Sequence, residues 1–129
     1  MGNRILLVED DPDLHIGLAL RLKSVGHAVC SALDGREVLS TVQRERPDVI
    51  IMDVGLPGRS GHEVAQDLST NDETRHIPII YLTARHELDH RLKAAERGAA
   101  AYLVKPTSPE QLFAAIDAAV IAGKMRLET

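Results

Sequence analysis

An α/β fold with one parallel sheet covered on both faces is what the 129-residue sequence predicts, and three observations carry the prediction. Five short apolar runs recur along the chain, at residues 4–8 (RILLV), 27–33 (HAVCSAL), 49–52 (VIIM), 77–82 (IPIIYL) and 101–104 (AYLV). They are continuous rather than alternating, the pattern of strands buried on both faces. Segments with apolar residues at helical spacing separate them, so repeated βαβ units with right-handed crossovers follow.

The first strand, ending at Val8, runs into Glu9, Asp10 and Asp11. Pro12 suits a first helical turn with Asp11 as its N-cap, and Leu14, Leu18, Leu22 and Val25 form one face until Gly26 stops the helix. After the second strand, Asp34-Gly35 reads as the turn into a helix built on Val38, Leu39 and Val42, which must end before Pro47. The central strand ends in Asp53, and a loop with Gly55, Pro57 and Gly58 leads to a helix from Gly61 to about Thr70 with Val64, Ala65 and Leu68 inside. The fourth strand ends at Thr83-Ala84, and Leu88, Leu92 and Ala95 predict a helix that closes at Gly98. The fifth strand runs straight into Lys105-Pro106. A last helix opens at Ser108-Pro109-Glu110 and buries Leu112, Ile116, Ala119 and Val120, with Phe113 and Ile121 off that stripe. The domain is expected to occupy residues 1–122, with 123–129 a tail or the start of a linker.

Composition narrows the function. The 15 basic and 19 acidic residues give a formal net charge of −4 without a basic cluster, so nothing asks for nucleic acid. Aromatic residues are only 2%, too few for base-stacking platforms. The single cysteine, Cys30, cannot form an internal disulfide and reads as core packing in a reducing compartment. No apolar run approaches about 18 residues and the N-terminus lacks a leader layout, so a cytoplasmic location is expected. His86 and His90 are an i,i+4 pair without a third ligand, which does not make a zinc pattern.

Parallel sheets gather functional groups at the carboxyl ends of their strands. Those ends carry Glu9, Asp10, Asp53, Thr83 and Lys105. Each has an ordinary reading: the acidic run as a solvated helix cap, Asp53 as a turn cap, Thr83 as a turn hydroxyl, Lys105 as a surface charge. Their shared edge favours another. Converging carboxylates repel unless a cation enters, and Mg²⁺ is held by one or two carboxylates with water and phosphate oxygens. With a lysine and a hydroxyl opposite, and an aspartate able to act as nucleophile, these are the parts of a phosphoryl site.

Four stretches in order, LLVEDD, IIMDVGLPGRSG, YLTA and GAAAYLVKP, resemble the receiver domain of two-component response regulators, and the likeness covers the chain from Arg4 to about Ala122. The resemblance implies a flavodoxin-like, receiver-type sheet of order 2-1-3-4-5 with five helices. It implies that Asp53 accepts a phosphoryl group from a histidine kinase, a phosphotransfer protein or a small phosphodonor, and that the protein is a signalling switch rather than an enzyme. Mg²⁺, with Mn²⁺ as a substitute, would be held by Glu9, Asp10, Asp53 and the carbonyl of Gly55. Lys105 would pair with phosphoryl oxygens beside a cis peptide to Pro106, while Thr83, Ala84 and Tyr102 would form the phosphoryl-binding and switch set. Kinase docking near the first helix and the loop after Lys105 is implied, as is output through the fourth helix, fifth strand and fifth helix to a protein, a fused output domain or a second copy. Gly55 and Arg85 depart from the family's usual residues at two positions that govern water access.

Two other classes share parts of this kit. An aspartate-nucleophile phosphohydrolase of the haloacid dehalogenase type needs an acid two residues past its nucleophile, where this chain has Gly55 after Asp53 and Pro12 after Asp10. A receiver that binds partners without phosphorylation would not need Asp10, Asp53, Thr83 and Lys105 together.

Overall fold

The structure, a computed structural model, describes residues 2–83 and 100–128. The strands are β1 (Arg4–Val8), β2 (Ala28–Ala32), β3 (Val49–Asp53), β4 (Ile79–Thr83) and β5 (Ala101–Val104). The helices are α1 (Pro12–Ser24), α2 (Val38–Glu45), α3 (Gly61–Ser69) and a C-terminal helix (Pro109–Glu128). A single turn of 3₁₀ helix, Gly35–Glu37, precedes α2. The expected helix of Leu88, Leu92 and Ala95 lies outside the described residues.

All strand pairs are parallel, in the order β2-β1-β3-β4-β5. Side chains alternate between the two faces, which is why the central strands must be apolar throughout. Leu6, Val8, Ile50, Met52 and Tyr81 point to one side and pack with Val38, Val42, Val64 and Leu68 of α2 and α3. Ile5, Leu7, Ile51, Ile80 and Leu82 point to the other, against Leu18 and Leu22 of α1 and Leu112 and Ile116 of the C-terminal helix. Each such side chain stabilises the fold by about 1.5–3 kcal/mol relative to exposure.

Local chemistry sets the helix starts. The Asp11 carboxylate accepts the backbone N–H groups of Asp13 (3.0 Å) and Leu14 (3.3 Å), with Pro12 at the first helical position. Ser60 and Glu63 form a reciprocal capping box at α3. β4 begins at Ile79 rather than 77, because Pro78 has no N–H to give a ladder, although its carbonyl accepts from Ile50 at 3.0 Å. The last helix does not fray near Gly123. It continues to Glu128, and Gly123 is buried against Pro78. Phe113 does not stand clear of the core stripe either; it is partly buried against the Leu112–Ile116 cluster, whereas Ile121 is exposed as expected.

Candidate phosphoryl and metal site

Sheet register assembles the site. Val8 is aligned with Met52, Asp53 with Leu82, and Thr83 with Val104, so the residues at and just past these strand ends share one edge. Glu9 follows β1, Asp53 ends β3, Thr83 ends β4 and Lys105 follows β5. The backbone N–H of Lys105 donates to the Thr83 carbonyl at 2.8 Å, tying the last two together.

The Lys105 ammonium donates to Glu9 Oε1 at 2.8 Å and to Asp53 Oδ2 at 3.0 Å. Glu9 is wholly buried, and its second oxygen accepts the Asp11 N–H at 3.2 Å. Burial pushes the Glu9 carboxyl up from its ordinary value, with the Lys105 hydrogen bond opposing. Burial works against the Lys105 ammonium too, but hydrogen bonds to Glu9 and Asp53 and their charges outweigh it and hold its pKa above the ordinary value. The other oxygen of Asp53 accepts the Gly55 N–H at 3.0 Å, so the loop that leaves the strand turns back onto its terminal carboxylate.

Oxygen atoms of Glu9, Asp10 and Asp53 lie within 4.8 Å of one another. Formal charges of three carboxylates and one ammonium leave two negative charges in a small volume. An all-oxygen, doubly negative donor set fits a hard divalent cation of the Mg²⁺ or Mn²⁺ kind and lacks the nitrogen or sulfur that favours zinc.

Of the expected site residues, Glu9, Asp10 and Asp53 form the acidic cluster, and Lys105 bridges two of them. Gly55 sits beside Asp53, and the Lys105–Pro106 peptide is cis. Thr83 is fully buried at its strand end, and Tyr102 is partly buried. Ala84, together with Arg85, His86 and His90, lies outside the described residues. Three supporting roles escaped the sequence reading. His15 of α1 is buried, with Nδ1 2.9 Å from the Glu9 carbonyl oxygen and Nε2 2.7 Å from Ser31 Oγ. Tyr81 stacks on Tyr102 at a centroid distance of 5.1 Å and donates weakly to the Gly61 carbonyl at 3.4 Å. Gly35 meets the loop beyond Asp53. Each acts through a contact distant in sequence, which local spacing does not reveal.

A parallel sheet of order 2-1-3-4-5 with a lysine-bridged acidic cluster at its carboxyl edge defines a flavodoxin-like α/β domain with an acidic site at the strand ends. The response regulator receiver domain model matches residues 5–117, and the chain belongs to that family of two-component signalling domains. It is therefore a signalling switch of the response regulator kind. The chain is 35% identical over 120 residues to protein PilH of Pseudomonas aeruginosa, covering 93% of this chain and 98% of that one. It is 38% identical over 113 residues to a probable transcriptional regulator, ycf27, of Porphyridium aerugineum, covering 88% of this chain and 46% of that protein. The chain spans about half the length of several curated relatives it matches. Among solved structures, the receiver domain of sensor histidine kinase PA1611 from Pseudomonas aeruginosa PAO1 superposes with a TM-score of 0.84 at 31% identity, over 93% of this chain and 98% of that one. That domain has a magnesium ion coordinated in its active-site cleft. Receiver domains bind Mg²⁺ in an acidic site of the type found here. No helix among the described residues is long and apolar enough to cross a membrane.

Proposed function

We propose that Asp53 is the phospho-acceptor of this receiver, taking its phosphoryl group from a phosphohistidine of a kinase or phosphotransfer protein, or from a small acyl phosphate. The observation that carries this reading is the position of Asp53: at the tip of a fully buried strand, against two further carboxylates, with the Lys105 ammonium on one of its oxygens. A carboxylate oxygen of Asp53 attacks phosphorus, an acyl phosphate bond forms, and the bond from phosphorus to the donor nitrogen or oxygen breaks with its electron pair leaving on the donor. Glu9, Asp10, Asp53 and the Gly55 carbonyl would hold Mg²⁺, which when bound supplies charge neutralisation for the approaching phosphoryl oxygens.

Lys105 then exchanges a carboxylate partner for a phosphoryl oxygen, and the Thr83 hydroxyl at the neighbouring strand end becomes a donor to the same group. Charge-assisted bonds of this kind are short and strong, and they exist only when Asp53 is modified. They bias the edge formed by β4 and β5, with Tyr102 as the aromatic that moves. On this reading the receiver includes the whole C-terminal helix, Pro109–Glu128. Its partners are a kinase or phosphotransfer protein at α1 and the loop after Lys105, and a protein, a fused output domain or a second copy at the β5 and C-terminal-helix face. The half-length coverage of the transcriptional regulators supports the fused arrangement, and the near-complete coverage of PilH supports the separate one.

Beryllofluoride, a phosphoryl mimic, tests the switch. With Mg²⁺ it should shift the NMR amides of Thr83, Tyr102 and Lys105 and leave β2 unmoved. A spectrum unchanged by beryllofluoride and Mg²⁺ would contradict the reading.

A further inference from the structure

The loop that leaves Asp53 is clasped from outside by the turn after β2. The Gly35 N–H donates to the Pro57 carbonyl at 3.1 Å. Gly35 has no room for a side chain: a methyl group there would stand 2.0 Å from the Arg59 carbonyl oxygen and 2.8 Å from its carbon. Both obstacles are backbone, so nothing swings aside. Seen from the loop, Gly58 has φ +81°, and a methyl group on it would stand 2.3 Å from Asp34 Oδ1 and 2.7 Å from Arg36 Nε.

The side chains that fill the space beside Gly58 are bonded to each other. Asp34 accepts the Arg36 N–H at 2.7 Å and pairs with its guanidinium at 3.2 Å (Nε) and 2.8 Å (Nη2). The two loops thus interlock through two glycines, one on each. Two residues before Pro57 is Gly55, whose N–H is bonded to Asp53. Within the loop, Gly61 N–H returns to the Val54 carbonyl at 3.2 Å, and Arg59 pairs with Asp67 of α3, so the segment is held at both ends and clasped in the middle.

We propose that the Asp34–Gly35–Arg36 turn is a positioning element of the acidic site: by fixing residues 57–59 it sets the course of the loop and the place of Gly55 against Asp53. None of its residues touches a reacting group. The consequence for the metal rests on the reading of the site given above, in which Gly55 and Asp53 help hold Mg²⁺. The consequence for loop order does not.

The variants are Gly35→Ala, Asp34→Ala and the conservative Asp34→Asn, which keeps an oxygen for the Arg36 N–H. Gly17→Ala is the control, since a methyl group there meets nothing within 4 Å. Calorimetric Mg²⁺ titration and NMR hydrogen exchange at Gly55, Leu56 and Gly58 are the readouts. Gly35→Ala should weaken Mg²⁺ binding about tenfold, the lower range for residues that orient metal ligands. Exchange in the loop should rise about tenfold while Leu6 and Ile51 keep their wild-type protection. Asp34→Asn should restore most of what Asp34→Ala loses. Equal acceleration of exchange across loop and sheet, or an unchanged loop with unchanged Mg²⁺ affinity, would overturn the proposal. Should Gly35→Ala not fold, Asp34→Ala decides by the same two readouts. A wild-type chain that binds no Mg²⁺ would overturn the metal reading alone, and loop exchange would still decide the clasp.

Discussion

The Lys105 ammonium stands 3.0 Å from the Asp53 carboxylate across 52 residues of sequence, joining the ends of two strands that are not neighbours in the sheet. The same ammonium satisfies buried Glu9. Replacing it by an apolar side chain of similar length leaves both carboxylates without their cation. In Mg²⁺-free buffer Lys105→Met should lose about 1.5–3 kcal/mol of stability to urea, the range for hydrogen bonds to charged groups. Because the folded state raises the Lys105 pKa above 10.5, this contribution is complete below 10.5 and disappears as pH rises through the folded value. The difference between wild type and variant should be flat across neutral pH and shrink only in strong alkali.

His15 supports the acidic pair from beneath. A carbonyl only accepts, so Nδ1 carries the proton donated to the Glu9 backbone, and in the neutral ring Nε2 accepts the Ser31 hydroxyl. His15→Leu keeps the bulk and orphans the Glu9 carbonyl, for an expected loss of about 1–3 kcal/mol in urea unfolding. Ser31→Ala, on the exposed edge strand, should lose less.

Tyr81 and Tyr102 face each other across β4 and β5, aligned in register and stacked with an interplanar angle of 26°. A double-mutant cycle to leucine at both positions should show a coupling of about 0.5–1.5 kcal/mol, the range for aromatic pairs. Additive losses would show that the stack is contact without preference.

Cys30 should be a sluggish thiol. Burial, followed by the nearby Glu45 charge, raises its pKa above 9.0, and Sγ–H donates to the Ile5 carbonyl at 3.5 Å. The neutral thiol is favoured in the fold, so its contribution to stability is present below 9.0 and lost as pH rises through the folded value. Iodoacetamide alkylation of the native protein should have its midpoint above that of the urea-unfolded chain.

How the fold was legible depends on which forces act locally. The buried strands announce themselves because a parallel strand needs apolar residues on both faces, and their ends then point to Glu9, Asp53, Thr83 and Lys105 without knowledge of register. The edge strand β2 is shorter than its apolar run, since His27 and Leu33 fall outside the ladder to β1. Phe113, expected off the core stripe, is partly buried beside it, because a helix laid across β3, β4 and β5 covers a wider band than a single row. Asp34-Gly35 read as a turn, correctly, but its second task is set by the loop after Asp53, which spacing along the chain cannot show. His15 carries no pattern at all in the sequence; only the fold brings it to Glu9 and Ser31.

Intact mass of the protein after incubation with acetyl phosphate, with and without Mg²⁺ and beside Asp53→Asn, tests the central claim most directly. The account predicts a Mg²⁺-dependent gain of one phosphoryl group in the wild type and none in the variant. An equal gain in Asp53→Asn would contradict it.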